Sequence, residues 1–336
     1  MSTKSKLRKQ KVKTEVVKSY KGFDSNMQCR GFQFKVGETF THDGPVAACE
    51  QGFHACEYPL DVLRYYAPAE SQYAEVEQTG TIVRHADDSK VASSVIRIKA
   101  SITLPALIQA AVDFTFARSN PEGEKATGDR GAASATGDSG AASATGYSGA
   151  ASATGYSGAA SATGYRGAAS ATGYSGAASA TGDRGAASAT GYGGAASATG
   201  DRGAASATGD RGAASATGYS GAASATGDSG AASATGDRGA ASATGYGGAA
   251  SATGDRGAAS ATGDRGAASA TGDSGAASAT GKFGRAMGGD GCALFLVERD
   301  DNWNIIAVGS AIVGKTKGIK ANVWYTLTDG KFVEVK

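Results

Sequence analysis

Several residue types are scarce in this chain. Of 336 residues, five are proline, four cysteine, three histidine, three methionine and two tryptophan. The cysteines, Cys29, Cys49, Cys56 and Cys292, form no C-x-x-C pair. That removes the paired-thiol zinc modules, and with no export signal it points to reduced thiols rather than a disulfide framework. His42, Cys49, His54 and Cys56 are ligand types, but gaps of 7, 5 and 2 residues are not zinc spacings, so no metal is expected. No apolar run approaches the ~20 residues of a membrane span. No apolar segment follows the basic N-terminus as it would in a secretory signal, so an intracellular, cytoplasmic protein is expected. There is no P-loop and no nucleophile elbow. The net charge is only +2, which gives the whole chain no strong pull toward polyanions.

Glycine, by contrast, is abundant, at 52 residues. Most of it lies in seventeen consecutive copies of G-A-A-S-A-T-G-x-x, from Gly131 to Phe283, with a partial copy at Ala126–Arg130. The repeat divides the chain into a basic tail (1–18), an N-terminal domain (19–125), a repeat region (126–283) and a C-terminal segment (284–336). In the tail, Lys4, Lys6, Arg8, Lys9, Lys11, Lys13 and Lys18 face one acid, Glu15. Such a block is read as a solvated tail; nucleic-acid contact through it would be salt-sensitive and sequence-blind, and is not favoured.

A strict short period is the mark of a stacked array. Collagen is excluded because glycine does not recur at every third position. A helix is disfavoured, since two glycines in nine residues cost about 1 kcal/mol each relative to alanine. A-A-S-A-T has the length of a short strand, and the glycines around x-x supply turn chemistry. The expected fold is mainly β: a two-sided β-solenoid with about two repeats per coil, an N-terminal α/β cap domain and a C-terminal β-rich cap. Seventeen repeats then make eight and a half coils, about 40 Å long at about 4.8 Å per coil. Alternation puts either Ala133 and Ala135 inside, or Ala132, Ser134 and Thr136. The first is favoured because a buried hydroxyl needs a partner.

Only positions eight and nine of the repeat vary. Position eight is Asp nine times, Tyr seven times and Lys once; position nine is mostly Arg or Ser. With two repeats per coil, residues 18 apart stack. Tyr156, Tyr174 and Tyr192 then form a ladder on one edge and Tyr147 and Tyr165 on the other. With Arg166 and Arg184 these are the candidate binding residues. The competing reading is a soluble turn that tolerates change. Calcium is disfavoured, with at most one Asp per repeat against six to eight oxygens wanted. An outward Ser134/Thr136 array that orders water, as an ice-binding surface would, is a lesser alternative.

In the flanks, "TEVVKSYKGF", "CRGFQFKVGETF" (turning at Val36-Gly37), "YAEVEQTGTIVR" and "SSVIRIKASI" read as strands. "PLDVLRYYAP" and "LPALIQAAVDFTFARS" read as helices, the second capping the open end of the array. "CALFLVERDDNWNIIAVGSAIV" reads as two strands joined at Asp300-Asp301-Asn302. "NVWYTLTDGKFVEVK" reads as a hairpin turning at Asp329-Gly330.

"SYKGFDSNMQCRGFQFKVGETF", "GFHACEYPLDVLRYY" and "YAEVEQTG" resemble an N-terminal domain of uncharacterised bacterial and bacteriophage proteins that often continue into AASATG-type repeats and end in a segment like "IKANVWYTLTDGKFVEVK". The resemblance covers nearly the whole chain and implies a bacterial or phage setting, but no activity. The repeats also resemble the small-residue β-rolls of bacterial adhesin heads, which supports a solenoid and transfers no role. More distantly, the N-terminal layout resembles ADP-ribosyltransferases. That resemblance would put Tyr20, Arg30, His54, Tyr65 and Tyr66 in a cleft with Glu75 or Glu77 as the acid; Tyr20, His54 and Tyr65 are the candidate catalytic residues. Each also has a packing role available, and no catalytic signature sits at a recognised spacing. The reading is therefore a non-enzymatic protein, without cofactor, that presents a solenoid surface to a protein partner, such as a virion component or a host defence protein. Homo-oligomers through an open strand edge are the other association expected.

Overall fold

The computed structural model describes residues 15–68, 71–85, 89–118 and 124–335. Six of the seven basic tail residues, Lys4 to Lys13, lie outside this set. The N-terminal part is an antiparallel sheet of β1 (Val17–Phe23), β4 (Thr39–Thr41), β5 (Phe53–Cys56), β6 (Gln72–Arg84) and β7 (Lys90–Ile102), in the order β4-β7-β5-β1-β6. β6 also pairs with β7, so the sheet closes on itself. A two-stranded hairpin, β2 (Gln28–Cys29) and β3 (Phe32–Gln33), stands beside it. Phe23, Phe34, Val76, Ile96 and Ile98 fill the interior. Gln78 is polar and fully buried but satisfied: it accepts from Ser19 Oγ (2.7 Å), and its Nε2 lies within hydrogen-bonding distance of Phe53 O, Val91 O and Ser93 Oγ.

"PLDVLRYYAP" makes a short 3-10 helix, Pro59–Arg64, rather than an α-helix. α1 (Leu104–Arg118) forms as expected, with Thr103 Oγ1 accepting from Ala106 N (3.4 Å) and Pro105 in the first turn.

Beyond α1 the chain winds into a β-solenoid of about 10 turns over residues 124–296. Every A-A-S-A-T segment from Ala132 to Thr271 is a strand paired in parallel and in register with the segment 18 residues on, as Ala150 pairs Ala168 and Thr154 pairs Thr172, and the last, Ala276–Ala279, pairs in parallel 17 residues on with Ala293–Leu296. Alternate repeats fall into two sheets. The first runs from Glu124–Thr127 through Ala141–Thr145 to Arg285–Gly288; the second runs from Ala132–Thr136 through Ala150–Thr154 to Ala293–Arg299. The stack exceeds eight and a half coils because non-repeat strands at both ends continue the ladder.

The second and third alanines of A-A-S-A-T point inward, forming one continuous alanine core, while serine and threonine point outward. Coils stack closely enough to leave no room for a side chain on the glycine that precedes x-x at each corner that has a preceding coil. The glycine before x-x shows why: a Cβ on Gly191, at φ +150°, would lie 1.5 Å from Gly173 O of the preceding coil.

At the C-terminal end the interior changes from alanine to Leu294, Leu296, Val313, Tyr325 and Leu327, which close the core. The predicted hairpins are both present, Ala293–Arg299 with Ile305–Ile312, and Tyr325–Thr328 with Lys331–Glu334. Ala293–Arg299 joins the second sheet in parallel and Ile305–Ile312 adds an antiparallel strand beyond it, while both strands of the other hairpin extend the first sheet in antiparallel pairing.

α1 was expected at the open end of the array, and the structure corrects this. The helix lies on the outer face of the first sheet, against the strands from Ala159–Thr163 to Ala231–Thr235. Leu107, Ile108, Ala111 and Val112 bury Ala177, Ala195, Ala213 and Ala231. The physical reason is complementarity: a row of methyl groups offers a smooth apolar bed, which the open end, with unpaired strand groups, does not.

Candidate functional site

The tyrosine ladders form as the 18-residue spacing requires. Tyr156 and Tyr174 stack with ring centres 5.0 Å apart, Tyr174 and Tyr192 at 4.9 Å, and Tyr147 and Tyr165 at 5.1 Å. Where a ladder stops, the next coil supplies an arginine: Arg184 lies over Tyr165, Arg211 over Tyr192, Arg238 over Tyr219 and Arg265 over Tyr246. Tyr147, Tyr156, Tyr165, Tyr174, Arg166 and Arg184 are exposed, while Tyr192 is half-buried.

Tyr192 is covered because the N-terminal domain docks on its edge, a contact that sequence reasoning missed. Arg211 forms an ion pair with Asp61 of the 3-10 helix and also donates to Tyr192 Oη. Asp61 is held in turn by Ser89, whose Oγ donates to it at 2.6 Å. Tyr58 Oη donates to Gly193 O at 2.6 Å, and burial pushes its phenol far above the ordinary tyrosine value. A Cβ on Gly193 would sit 2.9 Å from Tyr58 Cε1, and one on Gly247 would sit 3.3 Å from Ala67 Cβ. Gly193 and Gly247 are the only glycines at position nine of the repeats. They lie on the same edge, 54 residues or three coils apart. This was the readable signal: the variable positions record where the domain sits.

The two sheets carry the same sequence but not the same exposure. On the first, α1 and the 3-10 helix cover the leading alanines, with Trp324 over Ala249 and Ala267. On the second, the leading alanines from Ala132 to Ala258 are exposed. They and the neighbouring serines line an open trough of about 1240 Å³ that crosses nine strands and ends at Phe295. Beyond it, Val308 (72 % exposed), Ile306 and Ile312 continue an apolar surface on the last strand of this sheet.

A separate cleft of about 520 Å³ opens in the N-terminal domain. It brings together Tyr20, Arg30, His54, Tyr65 and Tyr66, with Lys21, Cys29, Phe32 and Lys90. His54 Nε2 lies 3.3 Å from Ala47 O, and burial holds the imidazole below its ordinary value. Lys90 donates to Tyr65 Oη at 3.0 Å. Glu75 and Glu77 are not among its lining residues; they pair with Lys18 (3.0 Å) and Lys99 (2.8 Å). Among the described residues, Glu50 is the acid that lines it. Among the described residues no group of three or more His, Cys, Asp or Glu side chains is placed to hold a metal ion, and no helix is long and apolar enough to cross a membrane.

Residues 17–110 match a family described as a domain of unknown function, DUF7666. The matched segment takes in the closed sheet, the cleft and the start of α1, and the solenoid follows it. No curated protein and no solved structure matches the chain.

Proposed function

We propose that this chain is a non-enzymatic binding protein whose open solenoid sheet receives an apolar-faced helix of a protein partner. The observation that carries this reading is internal to the molecule. The covered sheet, built of the same A-A-S-A-T segments, already holds α1 on its row of leading alanines. α1 has 15 residues, about 22 Å of helix, and crosses five strands. The open trough crosses nine strands, about 38 Å at the spacing of paired strands. That length suits a helix of about 25 residues. The apolar run of Phe295, Val308 and Ile312 at its end would anchor it. The exposed ladder Tyr147–Tyr165 with Arg166 and Arg184 lies at the solenoid edge, where aromatic and arginine side chains often dominate binding.

A bacterial cytoplasmic or phage setting fits the resemblance of the N-terminal motifs and the repeat. In that setting the partner is a virion component or a host defence protein that the rod blocks. The trough and its apolar end favour a helix over an ordered-water surface, which would need a flat hydroxyl face. The enzyme alternative is less supported, because the acids Glu75 and Glu77 are engaged away from the cleft.

The test is affinity capture from host lysate with the full-length chain and with Ala186→Arg/Ala204→Arg/Ala222→Arg, which plants three cations in the open row. A partner held by the first and lost by the second, and cross-linked to the row through a helical segment, supports the reading. Equal capture by both sinks it.

A further inference from the structure

The cleft of the N-terminal domain contains a residue that the binding-rod reading does not use. Lys21 lies in β1, in register with Ala74 of β6, and is only 4 % exposed, yet it lines the cleft. Lysine is almost never buried so deeply unless paired with a carboxylate. Among the described residues no carboxylate forms an ion pair with Lys21. Its Nζ donates to His54 O at 2.9 Å and lies 3.5 Å from Cys29 Sγ. The rings of Phe34 and Phe23 stand 5.2 and 5.6 Å from it. Tyr66 Oη donates to Cys29 Sγ at 2.8 Å from the other side. Gly22 makes room for this: a Cβ there would lie 2.4 Å from Tyr66 Cγ.

The rim is unusual too. Arg30 (φ 51°) and Cys49 (φ 69°) both line the cleft in the left-handed region that non-glycine residues avoid, and Met27 (φ 59°) shares the hairpin of Arg30. Such strain persists only where the surroundings enforce it, and it clusters at ligand sites. Among the described residues, the charged and titratable groups that line the cleft with Lys21 are Cys29 and Arg30 from the β2–β3 hairpin, His42 after β4, Cys49 and Glu50 before β5, His54 and Cys56 of β5, Tyr20 beside it, Tyr65 and Tyr66 after the 3-10 helix and Lys90 of β7.

We propose that Lys21 is a carbonyl-reactive amine, and that the cleft takes a small aldehyde or ketone carrying an aromatic ring and an anionic group. The amine supplies the bond. Burial, the largest influence on it, holds Lys21 below the ordinary lysine value, so a larger share is neutral and nucleophilic than on an exposed lysine. Tyr20, Phe32, Phe53 and Tyr65 supply the aromatic wall. Arg30, on the rim, supplies the cation that gives the cleft its preference for an anion. The step balances without a co-reactant. The Nζ lone pair adds to the carbonyl carbon, the carbon–oxygen double bond opens, and the oxygen leaves as water with the two amine protons. The product is an imine that water can reverse, so this is covalent capture of a ligand rather than turnover.

The probe is 4-carboxybenzaldehyde with cyanoborohydride, which reduces the imine to a stable secondary amine, applied to the full-length chain and read by peptide mass spectrometry. Lys21 should label at least ten times faster than the exposed Lys35. The Lys21→Met variant should lose that fast site, and excess 4-carboxybenzyl alcohol, which occupies the cleft without reacting, should slow Lys21 and leave Lys35 unchanged. Arg30→Gln should lower the rate with 4-carboxybenzaldehyde toward that with benzaldehyde. Labelling of Lys21 no faster than Lys35, or a fast site that the alcohol does not protect, would overturn the proposal without needing any variant to fold.

Discussion

Arg211 of the solenoid and Asp61 of the N-terminal domain form an ion pair whose side chains are 3 % and 9 % exposed. They lie 150 residues apart in sequence. This contact joins the N-terminal domain to one edge of the repetitive rod.

Removing one partner of a buried pair strands the other's charge. Arg211→Met should therefore destabilise the docked state by about 3–5 kcal/mol. Asp61→Asn with Arg211→Met should cost less than Arg211→Met alone, since no charge is then left uncompensated. Urea titration combined with limited proteolysis between the two parts checks both; a double variant as damaged as the single one contradicts the account.

Gly193 is small because Tyr58 rests on it. Gly193→Arg should release the N-terminal domain, seen as new protease sensitivity and loss of the 2.6 Å bond from Tyr58 to the Gly193 carbonyl. Ser148→Arg, at the same repeat position on the other edge, should change stability by no more than about 0.5 kcal/mol. Equal effects would mean that position nine is not read by the domain.

The corner glycines should be the least replaceable residues of the repeat. Gly191→Ala combines a positive φ with a Cβ 1.5 Å from Gly173 O, so it should cost about 3 kcal/mol or more. Gly149→Ala, whose nearest neighbour is Ala144 backbone at 3.2 Å, should cost clearly less. Hydrogen exchange of the flanking coils would show whether the damage stays local, as stacked repeats require.

Lys21 gives a stability prediction apart from its reactivity. Its value is lowered by burial, so the unfolded chain binds more protons than the native one between the two values. Stability contributed by this site then rises with pH, and its penalty is fully present below the native value. Lys21→Met should stabilise most below the native lysine value, with the difference from the unsubstituted chain shrinking as pH rises toward 10.5. Matched urea melts across that range test it; a constant difference would mean that Lys21 is charged in both states.

Much of the architecture was readable because the repeat leaves few choices. Five strand-length residues bracketed by glycine, with a period of nine, allow a two-strand coil and little else, and the desolvation of hydroxyls turns Ala133 and its equivalents inward. The ladder of Tyr156, Tyr174 and Tyr192 follows from the same 18-residue arithmetic. In the cleft, the types and rough neighbourhood of Tyr20, His54, Tyr65 and Tyr66 were legible. Lys21 was not, because a lysine in an alternating strand reads as solvent-facing until the closed sheet buries it.

By itself, the sequence determined every contact that repeats with a fixed period: strand length, register, the inward face and the stacked edge. These depend on neighbours at a constant separation, so local pattern specifies them. What only the tertiary structure decided is which of two chemically identical alanine faces α1 would cover, which edge the N-terminal domain would grip through Arg211, Gly193 and Gly247, and which sheet would stay open. Both faces attract an apolar helix equally well. Position nine marks the gripped edge, where Gly193, Arg211 and Gly247 meet Tyr58, Asp61 and Ala67 that arrive from more than a hundred residues away.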